Sequence, residues 1–141
     1  MSLWFDLEKY KNNICKSILF EYKEYNVLTN LNYEKDILYF VKNAIGLTKI
    51  GVTNDYESRI KTMEYASGQK MIPIFKFHIK DKSNIVPYMV EQFLLDYYKE
   101  KRIIGEWCDF NKKDLMIIYA AVSKLWNIKT TKRAKKIVIA A

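Results

Sequence analysis

Apolar positions along the chain fall into two periods, and the switches between them mark the elements. Over residues 3–22, Leu3, Leu7, Tyr10, Ile14 and Ile18 recur at a helical interval, which predicts an amphipathic N-terminal helix. Residues 24–32 are polar and Asn-rich and read as a linker. Asp36 to Lys42 then carries a short run of bulky residues, and Leu47 to Thr53 carries a second. Asn43 to Gly46 suits a turn between them, so the pair predicts a β-hairpin.

Tyr56 to Ala66 returns to the helical period, with Asn54 or Asp55 as the N-cap, Ile60, Met63 and Ala66 inward, and Gly68 at the end. Met71 to Ile79 predicts a third strand from its β-favouring bulk. Ser83 or Asn84 can cap the next helix, with Pro87 tolerated in its first turn. That helix, Val86 to about Lys101, is apolar on nearly every side and is expected to be buried. Gly105 breaks the pattern, Trp107 to Phe110 suits a short extended piece, and Asp114 to Trp126 predicts a last helix. The expected fold is α+β, a small three-stranded antiparallel sheet flanked by helices, with an N-terminal helix and a basic C-terminal helix and tail. Its expected parts are an extension and linker over 1–34, a domain over 35–128 and a tail over 129–141.

At 141 residues the chain is long enough to bury a core without disulfides or metals. Half of it is apolar and 15% aromatic, which excludes wholesale disorder. The longest apolar run, Leu115 to Val122, is far short of the roughly 18 residues that span a bilayer. No membrane partner is expected. Asp6 and Glu8 sit where a signal peptide carries positive charge, and Cys15 and Cys108 lack metal-ligand spacing. An intracellular protein with free thiols is expected: cytoplasmic, or in the host cytoplasm for a viral chain.

Charge changes the picture at one end. The net charge is +8, yet after Asp114 there is no acidic residue, while Lys124, Lys129, Lys132, Arg133, Lys135 and Lys136 follow. Such a cluster is the electrostatic footprint of a polyanion binder, because Lys and Arg neutralise phosphates and release counterions. A solubilising tail is the equal alternative from charge alone.

Four residues ask for a chemical account. Glu91 lies on the apolar helix with no basic residue between Lys82 and Lys99. A desolvated carboxylate there needs a donor, a cation, a metal ion or water, unless it faces solvent on a narrow strip with Gln92 and Asp96. Arg59 follows the hairpin beside Ile60 and has Glu57 and Glu64 as ordinary surface partners. Lys49 stands inside a strand beside Ile50, and Gly51 in a strand interior marks a bend or a close approach. His78, the single histidine, has no second ligand near it and reads as structural or exposed.

Between Leu38 and Phe110 these pieces resemble the GIY-YIG superfamily, most closely its T5orf172/Mug113-like branch. The motifs are Leu38-Tyr39-Phe40, Lys49-Ile50-Gly51-Val52-Thr53, Arg59, Glu91 and Gly105-Glu106-Trp107, in that order. The resemblance implies a GIY-YIG-like fold and a metal-dependent DNA endonuclease, with a viral, phage or mobile-element source. It also implies roles. Tyr39 and Lys49 would activate or order the water nucleophile, Arg59 would hold the scissile phosphate, and Glu91 would ligate Mg²⁺ or Mn²⁺.

Two departures stand out. The second tyrosine of the family name is Lys49, which as a base would need its pKa lowered by burial or a nearby cation; otherwise it binds phosphate. One turn after Glu91 the branch places histidine where this chain has Leu95. That leaves proton transfer partly unfilled, so a DNA-binding module without cleavage is the alternative. Glu106 follows the branch pattern without an assigned role. Oligomeric state stays open.

Overall fold

A computed structural model of the protein describes residues 12–14, 35–79 and 85–126. The hairpin strands are β1, Ile37–Lys42, and β2, Thr48–Thr53, paired antiparallel with Tyr39 opposite Gly51. Their turn closes as its sequence suggests. The Asn43 side-chain carbonyl accepts the Leu47 N–H at 2.9 Å, and Gly46 takes a φ of 91°, which suits glycine.

Helix α1, Tyr56–Ser67, follows; the Asp55 carboxylate accepts the Ser58 N–H at its start, and Gly68 ends it in the left-handed region at φ 70°. Strand β3, Ile72–His78, pairs antiparallel with β1 on the side away from β2. Helix α2 is Pro87–Tyr97, and helix α3 is Lys112–Leu125. Reciprocal bonds between Asn111 and Asp114 cap α3, and Lys101 also binds the Asp114 carboxylate at 2.5 Å.

The fold is α+β, but among the described residues the sheet has five strands, not three, in the order β3-β1-β2-β5-β4, every pair antiparallel. The helix expected to reach Lys101 ends at Tyr97. A 3₁₀ turn over Lys99–Lys101 leads into β4, Arg102–Ile104, which returns through Gly105 into β5, Trp107–Cys108. All three residues of β4 are exposed, so they carry no burial period from which a strand could be read. Two smaller expectations also change. Ala66 is exposed, and α2 starts after Val86 with no side-chain cap, while Ser83 and Asn84 lie outside the described residues.

Strand β1 is the spine, buried on both faces. Leu38 and Phe40 join Ile50, Phe75 and Phe77 against Val90 and Leu94 of α2 and Leu115 and Ile118 of α3. Truncating a fully buried leucine there, Leu94 or Leu115, to alanine would cost about 2–5 kcal/mol. Ile37, Tyr39 and Val41 point the other way, into a smaller cluster with Met63 and Met71. Of the N-terminal segment, residues 12–14 are helical, and Ile14 is fully buried in the larger cluster. Asn12 accepts a hydrogen bond from Lys124 of α3. The other residues of the expected N-terminal helix and linker, Cys15 and the tail residues Lys129, Lys132, Arg133, Lys135 and Lys136 lie outside the described residues. Among those described, no helix is long and apolar enough to cross a membrane.

Candidate active site

The short β5 creates an opening in the sheet. It pairs with β2 only at Thr48 and Lys49, after which the Glu106 carbonyl takes the Ile50 N–H at 3.4 Å. Beyond that point Gly51, Val52 and Thr53 line a cleft of about 450 Å³ rather than a further strand. Side chains from both faces of the sheet meet over this edge. Tyr39 comes from β1, Arg59 from α1, Glu91 from α2 and Glu106 from the turn into β5, with Lys35 and Tyr88 also on the wall.

Tyr39 is 1% exposed, and its ring packs edge-on to Tyr56 with centroids 6.0 Å apart. The Arg59 Nε–H donates to its hydroxyl at 3.4 Å, and the Met63 sulfur lies 4.0 Å from the same oxygen. Burial pushes the phenol above its ordinary range, and the Arg59 contact offsets only part of that rise. At neutral pH Tyr39 is therefore a neutral group with a proton to donate. The guanidinium of Arg59 reaches into the cleft. Glu64, one of the acids available along its helix, is engaged by the Met71 N–H at 2.8 Å.

Glu91 is 5% exposed although it lines the cleft, whereas Asp96 of the same helix is exposed and Gln92 half-buried. Its carboxylate accepts the Gln92 side-chain N–H at 2.9 Å. Burial raises its pKa above the ordinary carboxylate range; the Gln92 bond and the charges of Lys35 and Lys49 pull it back, and Glu106 adds to the rise. A carboxylate so placed favours a cation beside it. Glu91 supplies hard oxygen ligands, and Mg²⁺ accepts one carboxylate and completes its shell with water, so the donor chemistry fits. Among the described residues no three His, Cys, Asp or Glu side chains group around a metal position.

Lys49 does not line the cleft. Its ammonium lies 3.7 Å from the Glu106 carboxylate and 5.7 Å from the centre of the Trp107 ring, largely covered. Lys35, Tyr88 and Glu106 are thus cleft residues that sequence reasoning left without a part. Only the Gly105-Glu106-Trp107 motif marked Glu106, and its ion pair joins β2 to the turn before β5 with no local signal. Leu95, where the branch has histidine, is buried in the larger cluster.

The other candidates are elsewhere. His78 pairs with Asp36 at 2.9 Å on the surface, and Cys108 is a buried free thiol pushed up to about 11 by burial, which makes it inert at neutral pH. Of the basic cluster, Lys124 is described and exposed. Compared with models of known families, with curated proteins and with solved structures, the chain matches none.

Proposed function

We propose that the protein is a metal-dependent endonuclease of the GIY-YIG type, hydrolysing phosphodiester bonds of DNA. The observation that supports this most is the convergence of Tyr39, Arg59 and Glu91 from three separate elements on one polar cleft. Ordinary packing gives no reason to bring a buried carboxylate on α2, a buried phenol on β1 and a half-buried guanidinium on α1 to a common opening. Hydrolysis of a bridging phosphate gives one to each.

In this reading the scissile phosphate enters over Gly51–Thr53. Arg59 faces its non-bridging oxygens, where charge grows as water oxygen bonds to phosphorus and the P–O bond to the leaving sugar oxygen breaks. Glu91 would hold Mg²⁺, and the bound metal would supply Lewis-acid positive charge to the phosphate. The Tyr39 hydroxyl, fixed by Arg59, orients the attacking water or gives a hydrogen bond to the phosphate. The basic residues Lys124, Lys129, Lys132, Arg133, Lys135 and Lys136 add sequence-independent DNA affinity.

A second reading rests on two observations. Leu95 is packed in the core and can move no proton, and Tyr39 is held neutral. A chain with those features and the same cleft serves as a DNA-binding module without cleavage. Supercoiled plasmid incubated with Mg²⁺, with Mn²⁺ and with EDTA, beside Glu91→Ala, separates the two. Metal-dependent nicking or linearisation that the substitution abolishes supports the nuclease. A gel shift that weakens with salt, without cutting, supports the binding module.

A further inference from the structure

Glu106 and Trp107 converge on Lys49, delivered there by the turn at Gly105. Gly105 takes a φ of 55°, and among the described residues no atom lies within 4 Å of where its Cβ would stand. Its need is therefore the left-handed backbone that turns β4 into β5, not space. That turn delivers two consecutive residues to β2. Trp107 is the ladder partner of Lys49, and the Glu106 carbonyl holds the next N–H, that of Ile50. Through their side chains the same two residues flank the ammonium, with the Glu106 carboxylate at 3.7 Å and the Trp107 ring at 5.7 Å. The Lys49 side chain is 13% exposed and that of Glu106 43%.

We propose that Glu106 is a positioning residue that clamps Lys49 as a fixed cation behind the cleft wall. The groups against Lys49 are a carboxylate and an aromatic face, and both attract an ammonium. Lys49 therefore stands as a held cation that contributes positive charge toward a phosphate in the cleft. The clamp stands on the geometry alone; its use on a phosphate rests on the nuclease reading.

Two measurements on the full chain test this, and the first needs no activity. Acetic anhydride labelling read by mass spectrometry compares Lys49 with the exposed Lys61 and Lys112 in wild type and Glu106→Gln. Loss of the clamp raises Lys49 labelling by about threefold relative to those lysines; unchanged labelling overturns the clamp. The second compares Lys49→Arg with Lys49→Met, because a guanidinium keeps the charge and cannot serve as a base. Cleavage within about tenfold of wild type in Lys49→Arg, and loss in Lys49→Met, is expected. Equal loss in both overturns the fixed-cation role. A severalfold rise in the Mg²⁺ concentration needed by Glu106→Gln, with Lys49 labelling unchanged, makes Glu106 a metal ligand instead. If wild type cuts no DNA, the nuclease reading fails, while labelling still decides the clamp. Oligonucleotide affinity in EDTA then replaces cleavage in the Arg and Met comparison.

Discussion

The phenol of Tyr39 lies across the bare backbone of its cross-strand partner Gly51. A Cβ at Gly51 would stand 2.2 Å from both Cζ and the hydroxyl oxygen of Tyr39. Glycine is needed there for space. Gly51→Ala is expected to displace the ring and cost about 1–3 kcal/mol, the usual penalty of overpacking a core. Urea unfolding of Gly51→Ala, Tyr39→Ala and the double variant checks it. The two changes should be strongly non-additive, since alanine at 39 removes the atoms that collide; additive losses would show that the contact is not the reason for glycine.

Arg59 touches Tyr39 through Nε, which lysine lacks. Arg59→Lys keeps one charge but loses the fixed fork that can bond a phosphate and the phenol together. The expected result is a fall in kcat of about 10²–10³ with a small change in KM, the scale of losing one donor to a developing oxyanion. Steady-state cleavage of a short duplex decides it. A KM effect alone would make Arg59 a ground-state binder.

How much of this was legible from the sequence follows from where the information lies. The hairpin, the caps at Asp55 and Gly68, and the buried face of α2 are local signals: alternation, a capping oxygen, a left-handed glycine, an apolar surface. Strand β4 was not legible because Arg102, Ile103 and Ile104 are all exposed, and its pairing depends on β5, only two residues long. The cleft itself follows from that shortness, since a longer β5 would cover Gly51–Thr53. Glu91 was marked by chemistry, as an acid on an apolar helix, whereas Glu106 beside Lys49 depends on a tertiary approach that no spacing encodes.

Burial of Glu91 predicts a conflict between stability and function. A carboxyl with a raised pKa in the folded state favours folding below its ordinary value near 4.5. That contribution is lost as pH rises through the folded value. Glu91→Gln, which carries no charge, should therefore show a higher urea midpoint than wild type at pH 7 in EDTA. The gap should close as pH falls below 4.5. Mg²⁺ at a hundredfold excess over its dissociation constant should restore about 2.7 kcal/mol to wild type and nothing to the variant. A variant less stable than wild type at pH 7 in EDTA would overturn the burial argument.

The basic C-terminal run makes a prediction that is quantitative in salt. If Lys129, Lys132, Arg133, Lys135 and Lys136 each neutralise one phosphate, their contacts with duplex DNA release counterions. The logarithm of affinity then falls with the logarithm of salt at about 0.9 per contact. Replacing the five with alanine should reduce the slope by about 4.5, with the loss greatest at low salt and independent of sequence. Fluorescence anisotropy with a labelled duplex between 50 and 200 mM salt (about the range where such contacts show) measures it. Cleavage per bound complex should stay at the wild-type level, because the cleft residues lie on the sheet, α1 and α2. An unchanged slope would make the run a solubilising tail and move the DNA affinity to the cleft cations, Lys35 and Arg59.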